Sequence, residues 1–195
     1  GKNEIDRYFD DIVRIIESEL DSKQTDKLEH FFGTIVIKTE KEKFATRSIV
    51  IDGQQRLTTT LIFLIALRDY TEDKKEKSHI NEYYLKNNSS SFEDKIKLKQ
   101  VTKDWETYKK LVKGVLTASI IGTAYELFLK KIKSHSFTFE NYLTALSRVN
   151  VALIFLDERP FKGEDPQIIF ETLNSLGKPL SLSDLVRNYV LLEML

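Results

Sequence analysis

The stretch from Ser48 to Tyr70 constrains this chain more than any other. Ser48-Ile49-Val50-Ile51 is a short β-branched apolar run bounded by polar residues, the pattern of a buried strand. From Leu57 to Tyr70 the apolar positions no longer alternate. Leu57, Leu61 and the unbroken run Ile62 to Leu67 make a helix that is apolar on nearly every face. Such a helix lies inside a domain, covered on several sides. Asp52-Gly53-Gln54-Gln55-Arg56 is then the turn joining the strand to the helix N-terminus.

That location has its own chemistry. The first turn of a helix carries unpaired N–H groups and about half a positive charge, so it attracts anions, phosphate above all. Gly53 lets a backbone approach a ligand closely, and Asp52 reads as an N-cap. Arg56 fits that position less well. A cation in the first turn opposes the helix dipole at a cost of about 0.3–1 kcal/mol. Gln54 and Gln55 add donors and acceptors that the helix does not need. Local choices unfavourable for folding are what sites look like. Two readings stay open on these residues alone: an anion or nucleotide site, or a satisfied cap with a solvent-facing arginine.

The run Ile51-Asp52-Gly53-Gln54-Gln55-Arg56-Leu57-Thr58-Thr59 resembles the signature of the N-terminal domain of GmrSD-type restriction endonucleases, the type IV, modification-dependent systems. Ile169-Phe170-Glu171-Thr172-Leu173-Asn174-Ser175-Leu176-Gly177-Lys178-Pro179-Leu180-Ser181, with Asp184, Leu185 and Asn188, is similar to a second block of that family. Phe32-Gly33-Thr34-Ile35-Val36 is similar to its strand before the turn. The resemblance runs from about residue 5 to the end of the chain. It implies a ParB/sulfiredoxin-like core whose relatives bind nucleotide phosphates at a G-x-x-R turn, which Gly53-Gln54-Gln55-Arg56 matches. It also implies nucleoside-triphosphate hydrolysis coupled to cleavage of modified DNA. Members of the family open with an extended I-P-x-Y-Q-R-x-Y-x-W segment, which this sequence lacks, as it lacks an HNH-type nuclease region.

The expected fold class is therefore α+β and helix-rich. A small ParB/sulfiredoxin-like β-core carries the strand, the DGQQR turn and the buried helix, with a helical annex at about residues 80–147 around it. A length of 195 residues suits a single domain over 1–195. Position 1 is glycine, Met194 is the only methionine, and the last apolar stretch has no stop signal, so the native chain is expected to extend at both ends. The 30 basic and 30 acidic residues cancel, which supplies no global field toward nucleic acid or membrane. There is no cysteine, so disulfides and thiolate metal sites are excluded. The apolar run at Leu61 to Leu67 is too short to span a bilayer, and a cytoplasmic location is expected.

Along the chain, Ile5, Phe9, Ile12, Val13, Ile16 and Leu20 carry the spacing of an amphipathic helix. Phe31 to Ile37 predicts a strand, with Ser48 to Ile51 returning antiparallel. Asn87 to Ser91 predicts a flexible loop, and Lys95 to Lys99 a short edge strand. With Lys103, Lys109, Lys110 and Lys113 that strand is the most basic region, interrupted by Glu93, Asp94, Asp104 and Glu106; its lysines are read as a solvated face before a nucleic-acid contact. Residues 104–134 predict helix, with Gly114 to Gly122 as a junction and Trp105, Tyr108, Leu111, Val112, Ala124, Leu127, Phe128 and Ile132 in the core. Phe139 to Ser147 predicts a further helix, and Val149 to Leu156 a second buried strand. Two more helices are expected, one after Asp165-Pro166 and one from Ser181.

His30, His79 and His135 lack metal-ligand spacing, and no Walker, H-E-x-x-H or G-x-S-x-G motif occurs. A phosphate on the turn would face Asp52, and a Mg²⁺ held by Asp52 and phosphate oxygens resolves that conflict. Asp52, Gln54, Gln55 and Arg56 are then the expected catalytic group, a glutamine orienting water. Gly53, Gln54, Gln55, Arg56, Thr58, Asn174 and Lys178 are the expected nucleotide contacts. Asn174, Lys178 and Asp184 have a plainer reading as helix caps and a surface lysine. The expected function is a nucleotide-binding, NTP-hydrolysing sensor of a modification-dependent restriction system. Its expected partners are nucleotide, modified DNA through the full-length protein, and a C-terminal nuclease region or subunit. The alternative is a non-catalytic nucleotide- or DNA-binding module. With one carboxylate at the turn and no histidine–metal cluster, no cleavage is expected from this chain alone.

Overall fold

A computed structural model describes residues 2–41, 46–88, 95–100 and 102–156. The elements are α1 (Lys2–Leu20), β1 (His30–Lys41), β2 (Thr46–Asp52), α2 (Gln54–Tyr70), α3 (Lys74–Ile80), a π-helix (Asn81–Leu85), α4 (Thr102–Val112), α5 (Ile120–Lys133), α6 (Phe139–Ser147) and β3 (Val149–Leu156). The fold is α+β and helix-rich, with a three-stranded sheet ordered β2-β1-β3. Two compact units divide the chain. One comprises Gly1–Phe32 and Gln55–Val151, the other Gly33–Gln54 and the chain from Ala152 onward.

The first unit is built on α2. Its residues Ile62 to Arg68 are all buried, so no face of the helix middle meets water. Phe63 lies at the centre, with the rings of Tyr8, Phe128 and Tyr142 at 5.8, 5.4 and 5.9 Å in edge-on geometry. Truncating such a ring to alanine costs about 3–5 kcal/mol. α1 packs against α5 and α6, and Lys131 ties it there by an ion pair to Asp6 at 2.9 Å. The buried face of α1 includes Tyr8 and Ile15 beside the expected Phe9, Ile12 and Ile16, while Leu20 is exposed at the helix end.

Arg68 is buried in the last turn of α2, where a cation favours the helix dipole. Its guanidinium pairs with Asp69 at 2.7 Å and donates to Asn81 Oδ1 at 3.1 Å and the Val112 carbonyl at 2.8 Å. One side chain thus closes the C-terminus of α4 and holds the start of the π-helix. Tyr125 donates its hydroxyl to Asp69, completing the network from α5.

In the second unit, β1 and β2 form an antiparallel pair. Ile37 lies opposite Val50 and Val36 opposite Asp52, so a bulge leaves Ile51 as the extra residue. Without it the regular register would place Asp52 opposite Ile35. The sheet is small because β2 ends directly at the turn.

Several expectations change. Residues 104–134 form α4 and α5, separated at 113–119 by a turn in which Gly114 takes φ +83°. Gly122 sits inside α5, where a Cβ would come within 2.1 Å of the Thr117 carbonyl oxygen. Lys95 to Lys99 is no edge strand: only Ile96 forms a bridge, to Lys86, because alternation of apolar and charged residues needs a neighbouring strand to pair with. β3 is not buried along its length, and Val151, Leu153 and Phe155 are exposed. Apolar runs read as buried strands only when both faces are covered, and β3 stands at one edge of the strand order. The helices expected after Asp165 and Ser181, and residues 89–91 of the expected loop, lie outside the described residues. No helix among the described residues is long and apolar enough to cross a membrane.

Candidate functional site

The turn after β2 is set by Gly53. Its φ of +89° is a left-handed conformation that L side chains rarely adopt. A Cβ there would also lie 2.9 Å from Ile35 Cγ1 and 3.2 Å from the Thr34 carbonyl oxygen. Space and dihedral both demand glycine. β2 runs through Asp52 and α2 begins at Gln54, so Gly53 alone stands between strand and helix. Asp52 itself is still in the sheet by its backbone, paired opposite Val36.

The first turn of α2 contains no acidic residue of its own, at the end where the helix dipole favours negative charge. Gln54 and Gln55 are exposed, and Arg56, Leu57 and Thr58 are half-buried. Gln54 Nε2 donates to the Val50 carbonyl at 2.7 Å, folding its amide back onto the strand. Thr58 donates its hydroxyl to Gln100 Oε1 at 2.9 Å. Thr60, one turn on, donates to the Arg56 carbonyl and accepts from Tyr8. Asp52, Gln54, Arg56 and Thr58 are all engaged with neighbours and none is free.

Gln100 was not apparent from the sequence. Its Oε1 is taken by Thr58, but Nε2 is buried with no hydrogen-bond partner among the described residues. A buried amide donor left unpaired costs about 1–3 kcal/mol. The only signal in the sequence is a polar residue ending the Lys95–Lys99 alternation.

Among the described residues no three His, Cys, Asp or Glu side chains gather to hold a metal. An open depression of about 600 Å³ lies away from the turn, on α1, lined by alternating acidic and basic residues including Asp6, Arg7, Asp10 and Arg14. Its lining includes none of the turn residues, and opposite charges there offset one another. Asn174, Lys178 and Asp184 lie outside the described residues.

A family model, the GmrSD restriction endonuclease N-terminal domain, matches residues 1–191. The chain belongs to that family. Among functionally curated proteins, none matches it. The GmrSD match spans the DGQQR turn and the FETLN block alike, and it makes the chain an N-terminal domain of a restriction system.

Proposed function

We propose that this GmrSD N-terminal domain binds a nucleoside triphosphate at the turn from Asp52 to Thr58, within a ParB/sulfiredoxin-like core, and hydrolyses it as the sensing half of a modification-dependent restriction system. The observation that carries the reading is Gly53. Its left-handed φ and crowded Cβ position bring a bare backbone to a helix N-terminus that has no acid in its first turn. Backbone N–H groups at such an end receive phosphate oxygens, and Arg56 at the third helical position adds a charge-assisted donor.

The family's phosphate-binding chemistry calls for a divalent cation, and the residues present fit magnesium. Asp52 supplies one carboxylate, and magnesium typically takes one or two carboxylates together with phosphate oxygens. When bound, it would neutralise charge on the phosphates. Asp52 would hold it, Arg56 would bind the terminal phosphate, and Gln55 would orient water. Gln55 suits that task better than Gln54, whose amide is committed to Val50. Thr58 and the unpaired amide of Gln100 supply further donors; Asn174 and Lys178 complete the proposed contacts. DNA cleavage belongs to a nuclease region or subunit elsewhere, and the modified DNA is reached through the full-length protein.

Differential scanning fluorimetry with nucleoside triphosphates, with and without Mg²⁺, tests binding. At a hundred times its Kd a ligand stabilises by about 2.7 kcal/mol. Phosphate release under the same conditions tests turnover. Stabilisation without release leaves a nucleotide-regulated binding module; neither response removes the nucleotide reading.

A further inference from the structure

Five π-helical residues, Asn81–Leu85, follow α3 and leave two tyrosines at the surface, Tyr83 at 65% exposure and Tyr84 at 39%. π-helical turns are rare and are frequently found at functional positions. His79 stacks on Tyr83 with ring centroids 4.6 Å apart and meets Tyr84 edge-on at 5.9 Å. The half-buried imidazole therefore backs the Tyr83 ring on one side, and the exposure comes from the other.

The chain then folds back along this edge. Asn87 N–H donates to the Lys95 carbonyl at 2.8 Å and Lys97 N–H to the Leu85 carbonyl at 2.9 Å. Lys86, Lys95 and Lys97 are thereby gathered beside the tyrosines, and Lys97 Nζ donates to the Tyr83 carbonyl at 2.5 Å. Lys95 holds φ +49°, uncommon for a residue with a side chain. Lys86 and Lys95 are exposed, and no carboxylate pairs with either among the described residues. Glu82, the carboxylate of the π-helix, accepts instead from Ser78. The lysines of α4 differ: Lys109 is paired with Glu106 and lies over the Trp105 ring.

An exposed ring on the same edge as two lysines that lack a carboxylate partner among the described residues matches one kind of ligand. Bases of an unpaired strand stack on aromatic faces while the phosphates meet lysines. A duplex keeps its bases stacked on one another, and an acidic peptide has no use for the ring. We propose that His79, Tyr83, Tyr84, Lys86, Lys95 and Lys97 form a binding surface for single-stranded nucleic acid, one base stacking on Tyr83 and the adjoining phosphates held by the lysines. It is separate from the nucleotide turn and does not depend on the reading given to that turn.

Fluorescence anisotropy with a labelled oligothymidylate of about 15 nucleotides, near the upper range of one domain's site, tests this. An abasic strand and a duplex of equal length serve as comparisons. Tyr83→Ala is expected to weaken oligothymidylate binding roughly five- to a hundredfold and leave abasic binding nearly unchanged. Lys86→Ala is expected to weaken both strands and make the slope of log K against log salt shallower by about 0.7. Both side chains are exposed, so thermal melts should match the parent and separate lost binding from lost fold. Indifference to Tyr83→Ala, equal affinity for the abasic strand, preference for the duplex, or no binding would each overturn the proposal.

Discussion

Thr58 donates its hydroxyl to Gln100 Oε1 across 42 positions of sequence, at 2.9 Å, while the Gln100 amide nitrogen stays buried without a partner among the described residues. The first turns of α2 are thus held from outside the helix by a residue that retains an unused donor. Thr58→Val strands the Gln100 oxygen as well, and the expected cost is about 1–3 kcal/mol by urea unfolding. Replacing both, as Thr58→Val with Gln100→Met, should recover much of that loss, because the amide of Gln100 is removed together with the hydroxyl it pairs with. Additive losses in the double variant would contradict the pairing.

Gly53 allows a prediction of the opposite kind, where adding one carbon is harmful. Gly53→Ala places Cβ 2.9 Å from Ile35 Cγ1 and keeps a φ of +89°. Both effects act in the folded state, and the expected loss is about 1–3 kcal/mol. Unchanged stability within about 0.5 kcal/mol would show that the turn relaxes to another conformation.

Tyr108 and Tyr142 are fully buried, and their hydroxyls have no partner among the described residues. Removing an unpaired buried hydroxyl should be neutral or stabilising by up to about 1 kcal/mol, so Tyr108→Phe and Tyr142→Phe are expected to fold as well as the parent. Burial pushes the Tyr142 hydroxyl up to about 12 from 10.0, and the Tyr108 hydroxyl up as well. A raised folded-state pKa means the neutral form is favoured by folding. Its contribution is complete below about pH 10 and is lost as the pH climbs toward 12. Melts recorded between pH 9 and about 12 should therefore fall less steeply for Tyr142→Phe than for the parent. Identical slopes would place this tyrosine in contact with water.

How much of this was legible follows from where each signal resides. The apolar run Ile62 to Leu67 shows a buried helix because no face is left polar, and α2 is buried along that run. α1 and α6 were readable from the same kind of periodicity. The register at the end of β2 was not. Which of Asp52 and Gly53 ends the strand depends on a bulge at Ile51, and bulges leave no periodic mark. Arg68 reads as a surface residue until its partners arrive from Asn81 and Val112, 13 and 44 positions away. The exposure of β3 and the role of Gln100 are likewise facts of tertiary packing. At the site, Gly53 and Arg56 stood out because each is locally unfavourable, which sequence does record; what engages them is not written locally.

The central claim is that Arg56 receives phosphate. Losing a hydrogen bond to a charged group is worth about 1.5–3 kcal/mol, so nucleotide affinity of Arg56→Ala should fall roughly ten- to a hundredfold. Stability without nucleotide should fall by no more than about 1 kcal/mol, since the lost contacts of a half-buried side chain are partly offset by removing a cation from a helix N-terminus. Titration of Mg²⁺-nucleoside triphosphate into parent and Arg56→Ala, each with a thermal melt, is the direct measurement. Weakened binding on an intact fold is the expected result. Unchanged affinity together with a loss of about 3–5 kcal/mol would mark Arg56 as the structural partner of a buried carboxylate and contradict the account of the turn.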